Sequence, residues 1–119
     1  MPMASDLKEM TAISKRMRND RGWRKFHDPK NLAMDICAEA AEILEHFLWV
    51  NKKEVRNFSE AKKKEVADEL ADVMNPILLL ADTLKIDLLE VFKDKMARTA
   101  KKYPVEKVKG KHAKYNNLV

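Results

Sequence analysis

Acidic residues recur at a three-residue spacing in two places, Glu39 with Glu42 and Glu69 with Asp72, and carboxylates are the side chains that bind hard divalent cations. At about 100° per residue on a helix, Asp35, Glu39, Glu42 and His46 fall within a stripe about 60° wide, and Glu65, Glu69 and Asp72 within a similar one. Both stripes border the apolar arc of their segment instead of opposing it. Acid pairs three apart are common on any charged helix, where they meet only water and lysine. Two such pairs, each hugging the apolar side of its own helix, point instead to a shared site. Four carboxylates converging in a partly apolar cleft repel one another, and a divalent cation removes that cost. With oxygen donors, no cysteine nearby and no second histidine on these faces, Mg²⁺ or Mn²⁺ suits the set better than Zn²⁺.

These acids must be positioned by helices. Leu7, Met10, Ile13 and Met17 give residues 5–19 an amphipathic pattern that packs on other helices, with Ser5 or Asp6 near its N-cap. Residues 20–29, with Gly22, Pro29 and two large aromatics, read as an ordered loop. Leu32, Ile36, Ala40, Ile43, Leu44 and Phe47 predict a second helix over about 30–49, followed by a polar connection at 50–59. A long third helix over 60–84 runs through Val66, Leu70, Val73, Ile77, Leu80 and Leu84, and Pro76 kinks it because it cannot donate to the Asp72 carbonyl. Leu88, Phe92, Met96 and Tyr103 mark a fourth helix, starting near Asp87 and stopped by Pro104. If the second and third helices form an antiparallel hairpin about the connection, all four carboxylates lie about 12 to 20 Å from the turn and meet at one level.

The whole chain suits that plan. Its 119 residues hold two glycines and four prolines, which leaves few hairpin turns and predicts an all-α fold in one domain. We place the domain at 1–104, a four-helix arrangement, and a loosely held basic tail at 105–119, with lysines at 107, 109, 111 and 114. The net charge of +5 is spread among 36% charged residues of both signs, the pattern of a solvated helical surface, Lys62, Lys63 and Lys64 included. A nucleic-acid-binding module would need a basic recognition helix, and none is evident. A plain helical interaction protein is the other alternative, with its carboxylates simply solvated. The single cysteine, Cys37, sits between Ile36 and Ala38 and reads as a small packed residue. No run approaches the ~18 apolar residues of a membrane span, and residues 1–20 carry charge where a signal peptide is apolar, so a cytoplasmic protein without a membrane partner is expected.

Four blocks in order then resemble a known family. They are Trp-Arg-Lys-Phe-His-Asp-Pro-Lys-Asn-Leu at 23–32, Glu-Ala-Ala-Glu-Ile-Leu-Glu-His-Phe-Leu-Trp at 39–49, Asp-Glu-Leu-Ala-Asp-Val at 68–73, and Lys95-Met96 with Lys102-Tyr103-Pro104. Over residues 16–104 the chain resembles the MazG-like nucleotide pyrophosphohydrolases, especially short members related to dCTP pyrophosphatase. The resemblance implies an all-α MazG-like bundle assembled as a dimer or tetramer. It also implies Mg²⁺, with Mn²⁺ possible, held by Glu39, Glu42, Glu69 and Asp72, which serve as the catalytic set. The implied substrate is a nucleoside triphosphate, with dCTP-like nucleotides favoured, cleaved to a monophosphate and pyrophosphate in nucleotide-pool house-cleaning. Trp23 and Trp49 match base-pocket aromatics; His27, Lys30 and Asn31 fall in a block near the ligand, and Lys95 and Lys102 match phosphate contacts. No nucleic-acid partner is implied. Leu48, Pro76 and Thr99 depart from the pattern, where a glutamine, an aromatic and an asparagine usually stand.

Overall fold

Helix starts are set by short side chains that accept a hydrogen bond from an otherwise unpartnered backbone N–H, each worth about 1 kcal/mol. In the computed structural model, which describes residues 5–112, Ser5 caps α1 (Asp6–Asp20) and Asp28 caps α2 (Pro29–Glu45), the latter receiving the Asn31 N–H at 2.8 Å. Asn51 caps the short α3 (Lys52–Arg56), Ser59 caps α4 (Glu60–Thr83), and Asp87 caps α5 (Leu88–Lys102). One further turn, α6 (Val105–Val108), follows Pro104. Every regular element among the described residues is helical.

The chain divides after Lys85 into two compact units. In the first, α4 is the central element, with α2 packed most extensively against it and α1 beside it. Leu32 of α2 and Leu78, Leu79 and Pro76 of α4 are the buried apolar residues. Burying each leucine stabilises the fold by about 1.5 to 3 kcal/mol. Pro76 therefore sits in the core, not on an open surface. The second unit holds α5 and α6; in α5, Arg98 Nε bonds Asp94 Oδ2 at 2.9 Å along the helix surface.

Several expectations are corrected. The second helix ends at Glu45, residues 46–49 form turns, and Trp49 takes a left-handed backbone with φ of 68°. The polar connection contains α3, signalled by the Asn51 cap. The tail expected at 105–119 begins with α6, whose turn is closed by Pro104 accepting from Lys107 and Val108; residues 113–119 lie outside the described set. On α1 the apolar stripe does not pack as expected. Met10, Ile13 and Met17 are exposed, while Ser14 and Arg18 are the buried residues of that helix. Cys37 is exposed, not packed. No helix among the described residues is long and apolar enough to cross a membrane.

Candidate metal centre

The return of the chain between α2 and α4 sets the two helices antiparallel. His46, just past α2, meets Lys62, Glu65 and Glu69 near the start of α4, whereas Glu39, two turns earlier, lies against Asp72 farther along. The i, i+3 spacing on each helix then aims Glu39, Glu42, Glu69 and Asp72 at one point, and one oxygen from each lies within 4.8 Å of all the others. Oxygen ligands of octahedral Mg²⁺ stand about 3.0 Å apart when adjacent and about 4.2 Å when opposed, so side-chain adjustment is needed to close the set on an ion.

Two of these acids keep an oxygen that the protein leaves unsatisfied. Glu39 Oε2 and Glu69 Oε2 are sealed from solvent and have no hydrogen-bond partner, a cost of about 1 to 3 kcal/mol or more for each such oxygen. Loss of water around the Glu39 carboxyl pushes it above its ordinary value of 4.5. The charges of Glu42, Asp35 and Asp72 and a hydrogen bond with Glu42 push it the same way. Glu42 and Asp72 are exposed, so the cluster is open on one side. Hard oxygen donors, two unpartnered buried lone-pair sites and mutual repulsion are together what a hard divalent cation satisfies.

A polar chain flanks the cluster. Lys62 Nζ lies 2.9 Å from His46 Nδ1, and His46 Nε2 lies 3.6 Å from Glu69 Oε1. Lys62 departs from the solvated face expected for it; Lys63 and Lys64 keep to it, pairing with Glu60 and Asp68. Nothing local in the sequence marks Lys62, since its partner is 16 positions away. His46, by contrast, already falls on the acidic stripe of its helix.

The remaining candidate residues sit at the ends of α1 and α2 and on α5. Trp23 is half-exposed, with the Arg21 guanidinium 5.7 Å from its ring. His27 Nδ1 is buried without a partner, and Lys30 is exposed. The Asn31 amide donates to Phe26 O and Asp28 Oδ2, tying down the loop that carries His27. Trp49 is 97% exposed. Lys95 and Lys102 belong to α5, in the second unit. The four acids are brought to a point.

The comparisons with known proteins bear on the family and the fold. The chain is 27% identical to dCTP pyrophosphatase 1 of Bos taurus over 114 residues, covering 94% of this chain and 68% of the bovine protein. For the Mus musculus and Homo sapiens proteins of the same name the identities are 29% and 26%, each covering 94% of this chain and 67% of theirs. A crystal structure of a pyrophosphatase from Archaeoglobus fulgidus superposes with a TM-score of 0.80 at 39% identity, covering 87% of this chain and 97% of that one. The MazG-like family profile matches residues 34–118, which include all four acids, and the chain belongs to that family.

Proposed function

We propose that this nucleotide pyrophosphohydrolase acts on a (deoxy)nucleoside triphosphate, with dCTP-like substrates favoured. Mg²⁺ is its cofactor, Mn²⁺ able to replace it, and the products are a nucleoside monophosphate and pyrophosphate. The observation that carries the reading is the convergence of Glu39, Glu42, Glu69 and Asp72 from two helices, with two of their oxygens buried and unpartnered. The names of the relatives support the reaction class. When bound, the cation supplies charge neutralisation on the phosphates and orients water for attack at the α-phosphorus.

The chain's own residues do the rest. One carboxylate of the set takes the proton of the attacking water. Trp49, held out in solvent on a strained left-handed backbone, stacks on the base together with Trp23. His27, whose Nδ1 is buried and unpartnered, and Lys30 contact the nucleotide. Asn31 holds the loop of His27 through its amide and offers Oδ1 to the ligand. Lys95 and Lys102 contact the phosphates.

The working form is a homo-oligomer, a dimer or tetramer, and the supporting observation is uncovered apolar surface. Met10, Ile13 and Met74 line an open groove of about 190 Å³ between α1 and α4, and so short a chain gains most by burying such a face on a second copy. The role is removal of unwanted nucleotides in the cytoplasm, without a nucleic-acid partner. A pyrophosphate-release panel over canonical and modified nucleotides, with and without Mg²⁺, tests the proposal: metal-dependent release of pyrophosphate and monophosphate is expected. No turnover of any nucleotide would return the chain to the class of helical interaction proteins.

A further inference from the structure

His46 lies outside the four acids yet comes within 3.6 Å of one of them, and its hydrogen bond with Lys62 determines which ring nitrogen carries the proton. Lys62 Nζ is 2.9 Å from His46 Nδ1. An ammonium group has donors and no acceptor, so Nδ1 must be the bare, accepting nitrogen and the ring proton must sit on Nε2. That Nε2–H faces Glu69 Oε1 at 3.6 Å. Lys62 is itself anchored, with its Nζ 3.6 Å from Glu65 Oε2 and 5.9 Å from the centre of the Phe58 ring. Phe58 in turn packs on Phe47, ring centres 5.8 Å apart. A continuous set of contacts therefore runs from the segment between α2 and α4 to one carboxylate of the cluster. Glu69 ends with its two oxygens in different settings. Oε1 faces an N–H, and Oε2 is buried with no partner.

We propose that His46 is a positioning residue. Its Nε2–H, fixed by Lys62 on the opposite nitrogen, restrains Glu69 Oε1 so that Oε2 is turned toward the cation position. The inference rests on the reading of Glu69 as a metal ligand. A ligating carboxylate free to rotate loses side-chain entropy when it binds, and a group that holds it beforehand removes part of that cost; such outer partners typically change metal affinity about 10- to 100-fold.

Two measurements on the full chain test this. The first is ¹⁵N-histidine NMR of the metal-free protein. We expect His46 to show a protonated Nε2 and a bare Nδ1, and Lys62→Met to turn that signature into a mixture of tautomers. A protonated Nδ1 in the unsubstituted protein would overturn the proposal. The second is Mn²⁺ titration of the parent protein, His46→Gln, His46→Leu and Glu69→Gln, with a melting curve for each. Glutamine keeps an acceptor for Lys62 and a donor for Glu69, whereas leucine keeps neither. His46→Leu should bind Mn²⁺ about tenfold or more weakly, His46→Gln should stay near the parent, and kcat at saturating Mn²⁺ should hardly change in either. If Glu69→Gln abolishes Mn²⁺ binding while folded His46→Leu matches the parent, the positioning role fails and the metal site stands. If the parent itself binds no Mn²⁺, the metal reading fails and takes this inference with it. Should His46→Leu not fold, the tautomer signature and the Mn²⁺ affinity of Lys62→Met decide, with an unchanged affinity counting against the proposal.

Discussion

Arg18 and Asp82 pair across α1 and α4, with Nη1 3.7 Å from Oδ2, and the two partners are unequally exposed: 3% for the Arg18 side chain and 28% for Asp82. Lys15 gives Asp82 a second cation at 3.4 Å, whereas Arg18 Nε is spent on Asn19. Removing the acid therefore strands a buried charge, while removing the arginine leaves an acid that keeps Lys15 and some water. Asp82→Asn should lower stability by about 3 kcal/mol and Arg18→Met by clearly less, as measured by urea unfolding. The reverse order would mean that the pair does not hold α1 in the way its burial indicates.

Trp49 is almost wholly in solvent, so its loss removes no packing within the chain. Trp49→Ala should leave the melting temperature unchanged and weaken nucleotide binding by about 1 to 3 kcal/mol, the usual worth of a base stacked on an aromatic ring. Calorimetric titration with a non-hydrolysable nucleotide reads this directly. Unchanged affinity would remove Trp49 from the base site.

Pro76 is buried inside α4 and leaves the Asp72 carbonyl without its helical donor. Pro76→Ala restores that bond and relieves about 3 kcal/mol of helix penalty, against about 1.6 kcal/mol for two buried methylenes lost. A net gain of about 1 kcal/mol is expected. If Pro76 also sets how Asp72 approaches the cation and the nucleotide, KM or the ratio of kcat/KM between a pyrimidine and a purine nucleotide changes too. Greater stability with both unchanged would assign the proline to bundle geometry alone.

Glu39 supplies a pH test. Its carboxyl titrates above 4.5 in the folded chain and near 4.5 in the unfolded one, so between those values the folded state binds more protons. Stability must then fall as pH rises through that window, and the penalty is fully present above it. In chelator, the difference in unfolding free energy between the parent and Glu39→Gln should move in favour of the variant as pH rises from about 4 to about 8. Adding Mg²⁺ should shrink that difference. A constant difference across the range would mean that Glu39 is not under strain from its neighbours.

Much of this was legible in the residues because it is local. Helix starts at Ser5, Asp28, Ser59 and Asp87 follow from side chains that cap their own backbone, and an i, i+3 pair shares a face whatever the helix packs against. What escaped depends on contacts distant in sequence. Lys62 looks like its neighbours Lys63 and Lys64 until α2 brings His46 beside it. Met10, Ile13 and Met17 have the periodicity of a packed stripe, yet α1 turns Ser14 and Arg18 inward because Asp82 waits there for the guanidinium. The end of α2 differs from its pattern for another reason: Phe47 and Trp49 continue the apolar pattern, and no glycine marks the left-handed turn at Trp49.

Glu42→Gln and Glu69→Gln each remove one negative oxygen from the proposed metal-binding set of four acids at nearly constant volume. Pyrophosphate release by both variants, followed against Mg²⁺ concentration at saturating nucleotide, is the most direct measurement. Near-complete loss of turnover is expected at limiting Mg²⁺, with helical circular dichroism intact and thermal stability equal to or above the parent's as repulsion is relieved. Turnover near that of the parent in both variants at limiting Mg²⁺ would contradict the metal centre.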